Sequence, residues 1–187
     1  MSVYFIGDPH LGHKNIAKFR SFVDTCEDNT EKIVNDWKAQ VTKRGIVYVM
    51  GDAAFSDEAL DVISWLPGKK ILIKGNHDDY VSTLAQTNVF AEIHGMLKYK
   101  GMWLTHAPMH PAELRGKPNV HGHVHYKSVM KKTWYGSEVL DRRYLNTSVD
   151  AIYSTTGKFL LTLDEVKAYF AAAKAEKEKG FWRFGKK

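Results

Sequence analysis

The chain has 187 residues, with 27 Lys and Arg against 21 Asp and Glu and hence a formal net charge of +6. Its 44% hydrophobic and 26% charged residues are those of a soluble globular domain with a real core, which excludes a disordered chain. A single cysteine, Cys26, excludes an internal disulfide, and no run approaches the roughly 18 apolar residues of a spanning helix, so a cytoplasmic protein without a membrane partner is expected.

Taken in chain order, the first half alternates strand and helix. Met1 to Asp8 lacks a basic leader and reads as a first strand over Val3–Gly7. Thr30 to Val41 is amphipathic, with Ile33, Trp37 and Val41 at fourfold spacing and Asp28 or Thr30 as the expected cap. Ile46 to Met50 reads as a strand buried on both faces. Ser56, followed by Asp57 and Glu58, opens a helix whose core face is Leu60, Ile63 and Leu66 and which Pro67-Gly68 stops. Ile71 to Ile73 is the next strand. Over residues 1 to 87 this alternation predicts parallel pairing through crossovers.

The second half changes character. Met96–Tyr99 and Met102–Thr105 flank Lys100-Gly101 as a hairpin, and Tyr144–Val149 and Phe159–Leu163 read as further strands, so a more antiparallel sheet is expected. A last helix over about 164–179 carries the stripe Val166, Tyr169, Phe170 and Ala173, with Gly180 as its stop. A basic, aromatic tail follows at 180–187, which includes Phe181, Trp182, Arg183 and Phe184. No repeat or linker divides the chain, so residues 1–187 read as one domain.

Chemistry-bearing residues gather where the predicted strands end: Asp8-Pro9-His10, Gly51-Asp52, Gly75-Asn76-His77-Asp78, His106, and Gly122-His123 with His125. Five of the nine histidines fall in this set. Residues two apart in an extended segment point the same way, so Asp8 and His10 are expected to grip one metal. The two oxygens of Asp52 allow it to bridge two cations. Asn76 offers a neutral oxygen, and Gly75 permits a tight turn beside it. Mixed oxygen and nitrogen donors suit manganese first, and iron, zinc, cobalt or nickel, better than calcium or a thiolate-type zinc. Such a set points to hydrolysis at phosphorus.

The ordered pattern Asp-x-His, Gly-Asp, Gly-Asn-His-Asp, His and Gly-His-x-His resembles the calcineurin-like metallophosphoesterases. The likeness spans residues 4 to about 150. The intervening text, Gly12-His13-Lys14-Asn15-Ile16, Leu104-Thr105-His106-Ala107-Pro108 and Asn119-Val120-His121-Gly122, resembles a small, uncapped subgroup often encoded by phages and bacteria. The resemblance implies an α/β fold of the αββα sandwich type and two divalent metal ions. It places Asp8, His10, Asp52 and His125 on the first metal and Asp52, Asn76, His106 and His123 on the second. It implies that His77 contacts the phosphate and assists the leaving group, that Asp78 orients His77, and that water activated between the metals attacks phosphorus.

The plainer readings stand beside these. Asp8 and Asp52 also fit turn residues after a strand, and a lone His106 fits a hydrogen-bonded structural imidazole. His13, His94, His110 and His121 read as structural or surface residues, although His13 and His110 flank motif loops. Arg115, Lys117 and Tyr126 read as solvated loop residues within reach of substrate; His13 and Arg115, with Asn76 and His77, are the candidate substrate contacts. Asn146 and Asp150 read as braces of the second sheet.

Three functions compete. The first is a phosphoesterase acting on phosphomonoesters or phosphodiesters, with nucleotide substrates in keeping with the basic charge. The second is a nuclease, distinguished by metal-dependent shortening of nucleic acid and strong salt dependence. The third is a non-catalytic scaffold on the same fold, against which the complete donor set argues.

Overall fold

The computed structural model describes residues 1–78 and 89–184, with side chains through residue 176. The strands are β1 Val3–Ile6, β2 Ile46–Val49, β3 Lys69–Ile73, β4 Glu92–His94, β5 Met96–Tyr99, β6 Met102–Thr105, β7 Asn119–His121, β8 Met130–Lys132, β9 Glu138–Leu140, β10 Tyr144–Asn146 and β11 Leu161–Thr162. Among the described residues the helices are α1 Cys26–Gln40, α2 Asp57–Trp65, α3 Val149–Thr156 and α4 Leu163–Phe184, with a 3-10 turn at Ile16–Lys18.

A five-stranded sheet runs β11-β1-β2-β3-β4, and a four-stranded sheet runs β10-β7-β6-β5. β1, β2 and β3 pair in parallel, as the alternation of strand and helix predicts for the described part of residues 1 to 87, and β4 beyond that segment joins β3 in parallel as well. Period-two alternation gives the first sheet two different faces. Tyr4, Ile6, Val47, Val49 and Leu72 meet Ile33 and Trp37 of α1 and Leu60 and Ile63 of α2. Phe5, Tyr48, Met50, Ile71 and Ile73 meet Met102, Leu104 and Val120 of the second sheet, so the two sheets stack. Ile152 of α3 and Val166 of α4 join that inter-sheet cluster. Two mixed sheets with flanking helices make up the expected α/β sandwich. Each fully buried side chain of this kind contributes about 1.5–3 kcal/mol. Among the described residues, no helix is long and apolar enough to cross a membrane.

Several expectations are corrected. Thr25, not Asp28 or Thr30, caps α1: its side chain accepts from Asp28 N at 3.0 Å, while the Asp28 carboxylate accepts from Asp24 N at 2.9 Å. The second sheet is mainly parallel, because β7 pairs in parallel with both β6 and β10; only β5–β6 is antiparallel. The expected strand Tyr144–Val149 ends at Asn146, and α3 follows at once, closed by Gly157 with φ 69°. The last helix runs from Leu163 through Gly180 to Phe184, so Gly180 does not stop it and the expected tail is helical as far as residue 184. Residues 185–187 of that tail lie outside the described residues.

Candidate metal centre

The carboxyl ends of β1, β2 and β3 and of the parallel pair β6–β7 open on one edge, where the loops of an α/β sheet collect ligands. There the 8–11 loop lies along the 51–54 loop. Asp8 N donates to Gly51 O, His10 N to Asp52 O and Leu11 N to Ala53 O, each at 3.1 Å. Asp8, His10, Asp52, His123 and His125 all adopt positive φ, at 53°, 51°, 51°, 70° and 52°. The Asp8–His10 segment is therefore not extended, as expected, but twice left-handed. Non-glycine residues held there cost about 1–3 kcal/mol each and persist only when their surroundings enforce it. Five such residues in one pocket mark a site whose geometry, not its stability, is maintained. Two glycines let the loops close up: a Cβ on Gly51 would strike His106 Nδ1, and one on Gly75 would strike Asp52 Oδ1.

Donor atoms of Asp8, His10 and His125 converge within 4.8 Å of one another, and so do those of Asp52, His106 and His123. Asp52 Oδ2 lies 3.7 Å from His10 Nε2 and 3.5 Å from His106 Nε2, so one oxygen stands between the two groups. The other Asp52 oxygen accepts from His77 N at 2.9 Å. Buried Asp8 Oδ1 and His10 Nε2 have no hydrogen-bond partner among the described residues. His106 Nδ1 sits 2.8 Å from Met50 O and donates to it, which leaves Nε2 as a lone pair. That lone pair faces Asn76 Oδ1 at 2.9 Å and His123 Nδ1 at 3.1 Å. Two acceptors in contact, and two buried donor atoms without partners, are what a cation-binding site looks like. The residues present fit divalent metal.

The sequence profile of the calcineurin-like phosphoesterases matches residues 1–166. The chain belongs to the calcineurin-like phosphoesterase family. Gene 66 protein of Mycobacterium phage D29 is 28% identical over 89% of this chain and 94% of its own length. The uncharacterized protein MJ1445 of Methanocaldococcus jannaschii is 28% identical over 80% and 82%. Among solved structures, a protein of unknown function, AQ665 from Aquifex aeolicus, superposes with a TM-score of 0.65 at 23% identity, covering 89% of this chain and 98% of that one. It shares the fold. The protein is thus a metal-dependent phosphate-ester hydrolase of the kind found in phages and archaea.

Behind the donors of this phosphoesterase lies a network that sequence reasoning missed. Arg20, 1% exposed, donates to both oxygens of Asp150 at 3.1 Å, to Asp8 O at 2.5 Å, to Pro9 O at 3.1 Å and to Asn29 Oδ1 at 2.8 Å. Asp150 in turn holds His125 Nδ1 at 3.0 Å, so it serves the metal centre as well as bracing the fold. Ser148 Oγ donates to Asp8 Oδ2 at 2.6 Å, and His123 N to the same oxygen at 2.8 Å. One signal was available: Asn29 continues the Ile33–Trp37 stripe four residues upstream, a polar group on an apolar face.

Electrostatics follow from this packing. Burial pushes the Asp8 carboxyl up, but His10, Ser148 and His106 outweigh it, and the group lies below the ordinary carboxylate range. Burial holds the His10 imidazole below its usual value, which keeps it a neutral donor. Hydrogen bonding to Asp150 raises His125. Burial brings His121, 1% exposed, down to about 4.

The remaining expected residues fall unevenly. His77 is exposed, its ring 6.3 Å from that of His10 and 5.3 Å from Phe55. His13 stands 5.7 Å from His10 and lines the same cavity. Asp78 is corrected: its carboxylate accepts from Asp52 N, Ala53 N and Gly75 N, at 2.9, 2.9 and 2.7 Å, instead of from the His77 ring. Arg115 is corrected as well. It sits on an exposed loop paired with Glu113 at 3.3 Å and does not line the cavity. That cavity, about 640 Å³, opens beside His10 and His125 between Lys18 and Phe19 on one wall and Tyr126 and Lys127 on the other.

Proposed function

We propose that this protein is a binuclear phosphoesterase that hydrolyses a phosphomonoester or phosphodiester of nucleotide type. In this reading Asp8, His10, Asp52 and His125 hold one divalent ion, and Asp52, Asn76, His106 and His123 hold the second. Manganese suits this mixed oxygen and imidazole set. The observation that carries the proposal is the placement of Asp52 Oδ2 between His10 and His106. When bound, such a pair activates a water nucleophile and offsets phosphoryl charge.

The chain's own residues do the rest. Arg20 and Asp150 fix His125, and Met50 O fixes the His106 tautomer. Asp78 ties the Asp52 and Gly75 turns together, so that Asp52 and Asn76 hold their relation. In this reading His77, exposed with its ring 6.3 Å from that of His10, gives a proton to the departing oxygen. His13 borders the substrate cavity. Cys26 is the lone cysteine, which suits a reducing cytoplasm.

The test is a metal-supplemented screen of p-nitrophenyl phosphate, bis-p-nitrophenyl phosphate, nucleotides and cyclic nucleotides. Manganese-stimulated turnover of at least one class, abolished by Asp52→Ala, is expected. Equal turnover with and without chelator would overturn the proposal.

A further inference from the structure

The last donor loop leads directly into a two-stranded ribbon, β8 and β9, that no layer covers among the described residues. All three residues of β8 are exposed, and Glu138 and Leu140 of β9 are exposed as well. At its turn Trp134 is 95% exposed and Tyr135 63%, their rings edge-on at 5.3 Å. Aromatic rings left in water at the end of a ribbon serve a partner more readily than the fold.

The partner's chemistry can be read from what surrounds them. Lys127, Lys131 and Lys132 accompany the rings, and none is in an ion pair among the described residues. Glu138 is the only acid between residues 130 and 140. The root of the ribbon is fixed to the metal centre, since Asn146 Nδ2 donates both to His125 O and to Lys127 O. Lys127 and exposed Tyr126 line the catalytic cavity, with exposed Phe19 and Lys18 on the facing wall. From Lys127 to Trp134 the extended chain reaches about 20 Å. Cations that follow a backbone, interleaved with rings that accept any base, are the means by which proteins hold unpaired nucleic acid.

We propose that the β8–β9 ribbon and the lysine–aromatic rim of the cavity form one platform for single-stranded nucleic acid, whose phosphodiesters it presents to the metal centre. The presentation step rests on the phosphoesterase reading of the site; the binding step does not.

The experiment measures binding of fluorescein-labelled oligodeoxythymidylate to the full chain by anisotropy, across a salt series, with the duplex of the same length alongside. Trp134→Ala should weaken binding about five- to hundredfold, the loss typical of one stacked base. Lys131→Gln with Lys132→Gln should flatten the slope of log affinity against log salt by about 1.4, at about 0.7 per phosphate contact on a single strand. Circular dichroism melting of each variant establishes that the fold is intact. Equal binding by Trp134→Ala and the unaltered protein, or preference for duplex, would overturn the proposal. So would a self-association in sedimentation that Trp134→Ala abolishes, because the ribbon would then be buried against a second copy. Hydrolysis of bis-p-nitrophenyl phosphate by the unaltered protein is measured in parallel. Hydrolysis without oligonucleotide binding removes the platform alone, whereas failure of all hydrolysis removes the phosphoesterase reading and leaves the binding result to decide the platform.

Discussion

Asp78→Asn separates two roles that a Gly-Asn-His-Asp motif can have. Asp78 is 2% exposed, and among the described residues its carboxylate accepts three backbone N–H groups: one oxygen takes Asp52 N and Gly75 N, and the other takes Ala53 N. Asparagine keeps one acceptor oxygen for the first two and turns an amide N–H toward the third. One hydrogen bond to a charged group is lost, worth about 1.5–3 kcal/mol, and a buried donor is left facing a donor, worth about 1–3 kcal/mol more. The variant should therefore lose about 3–5 kcal/mol in urea unfolding, as a fall in midpoint at constant m. Metal affinity should fall with it, because the 51–54 loop loses its hold at Ala53 and a neutral oxygen alone is left to tie the Asp52 and Gly75 turns. A stability within about 1 kcal/mol of the original, together with a displaced limb in the pH–rate profile, would refute this reasoning and return Asp78 to the His77 ring.

Further expectations come from the same geometry. Arg20→Leu leaves the buried Asp150 carboxylate with His125 alone and strands the Asp8 carbonyl and Asn29 Oδ1 in the interior, so unfolding experiments should show a loss of about 3–5 kcal/mol; Arg20→Lys should recover only part of it, lacking the guanidinium fork. His121 has its folded value lowered to about 4 from 6.5, so between those pH values the unfolded chain binds more protons and stability falls as pH falls. Over that window the effect is on the order of 3 kcal/mol, and a stability–pH profile of His121→Asn should lack it; matching profiles would contradict the burial argument. His77→Ala should retain its metals by elemental analysis and lose about 10²–10⁴-fold in turnover of esters with poor leaving groups. Wild-type rates on such an ester would show that His77 is misassigned.

The donors were legible because each is a distinct chemical group at the end of an apolar run, and strand ends share an edge in a parallel sheet. What held them was not. Arg20 meets Asp150 across 130 residues of sequence, a distance that no local pattern reports. Left-handed backbone at Asp8 and His10 comes from the neighbouring 51–54 loop, whereas local preference for a segment around Pro9 is extended. Strand β7 has three residues, two of them polar, and offers no periodicity, so the parallel character of the second sheet was hidden. The α3 segment, with Val149, Ile152, Tyr153, Thr155 and Thr156, has weak helix propensity, and burial of Val149 and Ile152 against the sheets overrides it. The β5–β6 hairpin, with Lys100-Gly101 at its turn, needed only local information and was read correctly.

Metal content per chain bears most directly on the central claim. Protein loaded with manganese and dialysed should carry two ions per chain by elemental analysis, and Asp52→Ala, which removes the oxygen standing between His10 and His106, should lose both or bind them far more weakly. A single ion that survives Asp52→Ala unchanged would contradict the shared centre.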